Sequence, residues 1–167
     1  MIHRHSPWTS LTGAALALLL AAFAAAQSAV DPLSIRAIAE VESTVVAGGR
    51  QSVKLVAADR VVPGDRVIYT LEVRNTGLAV LESPSIIHPI PEHMRYVADS
   101  AIGPGAEVSY SVDDGKSFDR AENLLVKSAD GQSRPATAAD YTHIRWHLKN
   151  NLKANSVAFV RFRAQVK

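Results

Sequence analysis

From residue 66 to 74 the chain reads Arg-Val-Ile-Tyr-Thr-Leu-Glu-Val-Arg, and its side chains alternate. Val67, Tyr69, Leu71 and Val73 fall on one face, and Arg66, Thr70, Glu72 and Arg74 on the other, with Ile68 as the exception. Successive strand residues point to opposite sides, so a period of two is the mark of a half-buried β-strand. The pattern returns twice. From Tyr141 to Leu148, residues Thr142, Ile144, Trp146 and Leu148 alternate with His143, Arg145 and His147. From Ser156 to Val166, residues Ala158, Val160, Phe162, Ala164 and Val166 oppose Arg161, Arg163 and Gln165. Phe159 falls on the polar face there, which suggests a place under a loop or at an edge.

Shorter β-rich runs are Ile35–Val41, Ser52–Ala57, Ser85–His88, Arg95–Val97, Glu107–Val112 and Leu124–Lys127; the alanines of the first also suit a short helix. Turn chemistry separates the runs. Val62-Pro63-Gly64-Asp65 suits a type II turn, with Pro second and Gly third. Asn75-Thr76-Gly77 ends a strand with residues that tolerate left-handed backbone. Short strands with frequent turns predict an all-β antiparallel sandwich rather than βαβ units. Residues 113–140 read as one long loop or hairpin insertion.

The start of the chain is of another kind. His3, Arg4 and His5 precede an uncharged, mostly Leu and Ala run from Leu11 to Ala26. That run is shorter than the roughly 20 residues of a membrane-spanning helix. A basic start, a short apolar stretch and small residues at its end predict a secretory signal peptide over 1–26, cleaved after Ala26, with an uncleaved anchor as the rival. Removing it takes away Arg4, so the formal net charge of +2 falls by one. A charge that small does not suit an electrostatic nucleic-acid binder. With no cysteine, the chain has no disulfide, thiolate zinc ligand or thiol nucleophile. Residues 27–60 read as lead-in strands of the sandwich, and 61–167 as its main body.

The block Pro63-Gly64-Asp65-Arg66-Val67-Ile68-Tyr69-Thr70-Leu71-Glu72-Val73-Arg74-Asn75-Thr76-Gly77 resembles the opening of the conserved repeat domain of bacterial and archaeal surface proteins, a domain-of-unknown-function family with an immunoglobulin-like sandwich. The segment Ile86 to Val97, with Ser100, stands where that family has an apolar strand, a Pro-bracketed turn and an aromatic strand. Thr142–Trp146 and Val157–Ala164 match its closing strands, so the resemblance covers about residues 61–167. Two departures stand out: His88 replaces the usual Asp before the Pro turn, and Ala154-Asn155 replaces Pro-Gly before the last strand. The resemblance implies an immunoglobulin-like fold and an envelope setting, and it implies no catalytic residue or cofactor.

Ser111-Val112-Asp113-Asp114-Gly115-Lys116-Ser117-Phe118 fits the Asp-box pattern, in which an Asp side chain ties down the amides of a tight hairpin. Calcium on Asp113, Asp114 and Asp119 is the sharper alternative, although the full set of oxygen ligands is lacking. His143 and His147 would lie about 13 Å apart on a strand, too far to share one ion. His88, His93 and Met94 flank a Pro turn and, with a strand histidine, make a conceivable copper set. Trp146 and Tyr69 read as core, the Tyr69 hydroxyl reaching a backbone group; a sugar platform is the rival for Trp146. Arg161, Arg163 and Lys167, with Arg145 and Lys149 beside them, would make a weakly basic sheet face. No G-x-S-x-G elbow, H-E-x-x-H pair or phosphate-binding glycine loop occurs.

No residue is therefore nominated as catalytic, cofactor-binding or metal-binding. The expected function is a non-catalytic structural or protein-interaction module of the cell envelope, periplasmic or extracellular, without nucleic-acid partners or a later transmembrane segment. It would present loops, or accept a partner strand at an open sheet edge, the final strand being the expected edge. The alternative is a periplasmic module binding a metal or a glycan.

Overall fold

The structure is a computed structural model and describes residues 32–167. The leader expected over 1–26, its cleavage point and residues 27–31 lie outside the described residues. Ten strands follow one another: β1 (Leu33–Ala47), β2 (Arg50–Ala57), β3 (Arg66–Asn75), β4 (Ser85–Pro89), β5 (Met94–Tyr96), β6 (Ala106–Ser111), β7 (Leu125–Lys127), β8 (Ser133–Pro135), β9 (His143–Leu148) and β10 (Val157–Val166). A single 3-10 turn spans Ala121–Asn123, and the described residues contain no α-helix. None of their helices is long and apolar enough to cross a membrane.

The strands form a five-stranded antiparallel sheet, β2-β1-β3-β10-β5, and a three-stranded one, β4-β9-β6. The sheets do not close into a barrel, and together they make the expected β-sandwich. The expected insertion carries a small hairpin of its own, β7-β8. The stretch Ile35–Val41 is strand rather than helix, because β1 pairs with β3 along Leu33 to Val41.

Alternation decides what fills the interior. In β3 and β10, Leu71 faces Val160 and Tyr69 faces Phe162 across the ladder. In the second sheet, Ile86, Trp146 and Val108 form one row and His88, Ile144 and Tyr110 the next. Trp146 and Phe162 are wholly buried, 6.0 Å apart between ring centres. Tyr69 also stacks on Phe162, at 4.9 Å between ring centres. Aromatic side chains of this size contribute about 2–3 kcal/mol each by leaving water. Tyr69 is only partly buried, and among the described residues its hydroxyl has no backbone partner of the kind expected.

One further expectation changes. The last strand is not the outermost one: β10 lies between β3 and β5, paired with β3 from Val157 to Gln165 and with β5 from Ala164 to Val166. Phe159 stands half-exposed (51%) on the outer face, opposite Glu72, in the part of β10 that among the described residues has a partner strand on the β3 side only, so of the two expected places the edge is the one it takes.

His88 is a strand residue whose ring turns inward, 5.7 Å from Phe162, with Nδ1 donating to the Pro89 carbonyl at 2.7 Å. Burial lowers its pKa below 6.5, helped by neighbouring His143 and opposed by the carbonyl bond. The unfolded chain therefore takes up this proton more readily than the folded one. Stability from this group is full above pH ~6.5 and is lost as pH falls from there toward the lower folded value. His88→Phe is expected to flatten this limb, measured as urea-unfolding free energy at pH 7.5 and 5.5. An identical slope in the variant would exclude His88 as its source.

Candidate interaction surface

β1 and β2 are joined by Gly48 and Gly49, whose φ angles are +58° and +73°. Two consecutive left-handed residues make a type I′ hairpin turn, whose twist matches that of the strands, and only glycine adopts it without strain. β3 pairs with β1 only as far as Val41, whereas β2 pairs with it from Glu40 to Ala47. Six residue pairs, Glu42 with Leu55 through Ala47 with Arg50, thus form a two-stranded ribbon beyond the end of β3. At roughly 3.3 Å per residue the ribbon runs about 20 Å. A two-stranded ribbon is marginal in water unless a further layer or partner covers it.

Among the described residues no strand pairs with the outer edge of β2. Ala58 N–H bonds the Ala39 carbonyl at 3.0 Å, which sets the phase of the ladder. Even-numbered residues of β2 then direct their main-chain groups to β1, and Gln51, Val53, Leu55 and Ala57 direct theirs away. All eight β2 residues are exposed, with Val53 at 65% and Leu55 at 41%. Lys54 and Arg50 lie on the opposite face of the ribbon from Val53 and Leu55.

The other edges of the two main sheets are guarded. β5 has three residues. At β6, Tyr110 already exchanges bonds with Asp119, at 2.9 and 3.1 Å. At β4, outward-facing Pro89 has no N–H, and the His88 ring takes its carbonyl. The β-rich runs legible in the sequence end at Val41 and resume at Ser52, which leaves out two thirds of the ribbon. The missing signal is Gly48-Gly49 between two β-rich runs.

The residues singled out in the sequence are dispersed. Ser111 Oγ donates to Asp113 Oδ1 (2.7 Å) and accepts from Gly115 N–H (2.9 Å). Ser117 donates from its amide to Asp113 Oδ1 (3.0 Å) and from its hydroxyl to Oδ2 (2.6 Å). Asp113 thus ties down the turn, as the Asp-box reading expects, and these bonds hold its carboxyl well below the usual range, the Ser117 hydroxyl contributing most. Asp119 Oδ1 accepts from the Arg120 amide and from Asn123, partners other than the Asp113 turn.

Among the described residues no three His, Cys, Asp or Glu side chains are grouped to hold a metal ion. Met94 packs in the core and His88 faces Phe162, while His147 lies on the outer face with Nδ1 at 3.0 Å from Ser85 Oγ. His143 Nδ1 lies 3.2 Å from Thr142 Oγ1, and the His93 carbonyl accepts from the Lys167 amide. The buried position of Trp146 removes the sugar-platform reading. The basic residues do not share a face: Arg161 and Arg163 belong to one sheet, and Arg145 to the other, with Lys149 just past its β9. Lys167 donates to the Glu92 carbonyl. The chain matches no protein-family model, and no curated protein or solved structure matches it either.

Proposed function

We propose that the protein is an exported, non-catalytic interaction module of the cell envelope, which docks an extended segment of a partner protein along β2. The observation that carries this reading is the ribbon's open edge: eight exposed strand residues, four of them directing main-chain donors and acceptors outward. The leader-like start and the likeness to immunoglobulin-like surface repeats support the envelope setting.

Edge pairing would form up to about eight main-chain bonds, worth about 1 kcal/mol each. Ordering the incoming residues costs about 1–2 kcal/mol apiece, so the main chain alone gives little net affinity. Contacts with Val53 and Leu55 then decide it. The fitting segment has apolar residues on that face and an acid opposite Lys54 on the other. A second copy centred on residue 54 would set one Lys54 directly against another, which disfavours self-pairing.

Leu55→Pro separates docking from folding. It deletes an N–H that points away from β1, so the β1–β2 ladder keeps its bonds. A photo-crosslinker at Val53 of the mature protein, exposed to an envelope extract, is expected to trap one saturable partner. Leu55→Pro is expected to reduce that yield at least tenfold, with thermal unfolding within a few degrees of wild type. With the purified partner, hydrogen exchange should slow at Gln51, Val53, Leu55 and Ala57. Equal trapping by the proline variant, or protection elsewhere only, would refute docking at β2.

A further inference from the structure

The outer face of the three-stranded sheet presents a cleft of about 370 Å³, lined in part by Ser85, Ser109, Phe118, Arg145 and His147. We infer that this cleft is a carboxylate-binding site centred on Arg145. The guanidinium is fixed from two sides. Its Nε donates to Ser109 Oγ at 3.0 Å, and its central carbon lies 4.8 Å from the centre of the Phe118 ring. A cation held over an aromatic face with Nε anchored has its fork oriented before any ligand arrives.

Among the described residues no carboxylate forms an ion pair with the fork, although the Arg145 charge acts on Asp119 across the cleft. The ion pairs among the described residues engage Arg74, Arg120 and Arg134, and none engages Arg145. The two acids of the cleft have other partners. Glu107 is bound by Arg120 at 2.7 Å, while Asp119 accepts from the Arg120 amide at 2.7 Å and from Asn123 at 2.9 Å. The terminal nitrogens of Arg145 are left to an outside acceptor. His147 lies two residues along β9 on the same face, its Nδ1 engaged with Ser85 and its Nε2 without a protein partner among the described residues.

The chemistry selects the ligand. A planar guanidinium fork matches a carboxylate in a two-point contact. Glu107 and Asp119 keep negative charge in the same cleft, which repels a dianion more strongly than a monoanion. A singly charged carboxylate is therefore favoured over phosphate. This site lies on a different sheet from β2, and its occupancy does not depend on strand docking.

The test is an NMR titration of the mature protein with sodium acetate at pH 7.5, ionic strength held constant with sodium chloride. The Arg145 Nε–H signal and the Ser109 and His147 amides are expected to shift and saturate at millimolar acetate. Inorganic phosphate is expected to bind more weakly, and glucose not at all. Arg145→Lys keeps the charge but loses the fork, and is expected to weaken acetate binding about tenfold. Ser109→Ala, which frees Nε, is expected to weaken it less. Acetate shifts that do not saturate, that chloride reproduces, or that persist unchanged in Arg145→Lys would overturn the site. Glucuronate as a second probe tells a sugar acid from a simple acid: tighter binding than acetate assigns the site to the former, and equal binding to the latter.

Discussion

Replacing Asn75 by alanine is expected to cost about 4 kcal/mol of folding stability, a large share of the roughly 5–15 kcal/mol of an ordinary domain. Asn75 is wholly buried at the end of β3. Its side-chain amide donates to the carbonyls of Ala79 (2.8 Å) and Leu152 (2.9 Å), and its Oδ1 accepts from the Gly77 amide at 2.9 Å. Alanine would take the partner from the Ala79 carbonyl and the Gly77 N–H, each worth about 1–3 kcal/mol, and empty a wholly buried polar site, while the Leu152 carbonyl keeps its bond from the Leu81 N–H at 2.9 Å. The loop around it has little room to adjust, since a Cβ at Gly77 would come within 2.9 Å of Pro32. Asn75→Asp keeps the acceptor, loses both donors and is expected to be nearly as harmful at pH 7. Urea unfolding followed by circular dichroism reads the loss, and a change below about 1 kcal/mol for the alanine variant would show that the three bonds do not act as described.

Trp146→Ala is expected to cost a similar amount, about 3–5 kcal/mol, by opening a cavity against Phe162 and Val160. Trp146→Phe distinguishes cavity from polarity. The indole N–H is buried without an acceptor among the described residues, a defect worth about 1–3 kcal/mol. Phenylalanine removes that N–H while filling most of the space, so less than half of the alanine loss is expected. The measurement is again by circular dichroism, because the variants remove Trp146, one of the two tryptophans of the chain. Equal losses for the two variants would mean that the indole ring fits its site in a way phenylalanine cannot replace.

Much of the fold was legible one strand at a time. Val62-Pro63-Gly64-Asp65 forms the expected turn, with Asp65 N–H bonded to the Val62 carbonyl at 3.0 Å and Gly64 at φ +98°. Asn155 adopts φ +61°, so it fills the left-handed position that the resembled family gives to glycine. Asn75-Thr76-Gly77 does end a strand, but for another reason. Neither Asn75 nor Gly77 is left-handed; Asn75 acts through its side chain, reaching a carbonyl 77 residues away. A local pattern carries no information about such a partner.

The candidate surfaces were legible only in fragments for the same reason. Val53 and Leu55 show as strand residues, yet nothing beside them in the chain says that their neighbour on one side is absent. Arg145 shows as a polar-face residue, yet Phe118 and Ser109, which orient it, come from 27 and 36 positions earlier.

Side-chain alternation and turn chemistry are properties of adjacent residues, so the chain alone determined that it forms pleated layers, which face of each strong strand is apolar, and where several turns fall. Lateral strand order is set by pairing between distant segments. Only the tertiary structure therefore decided that β10 is central and β2 is an edge, that His88 faces inward, and that Arg145 and Arg161 lie on opposite sides of the sandwich.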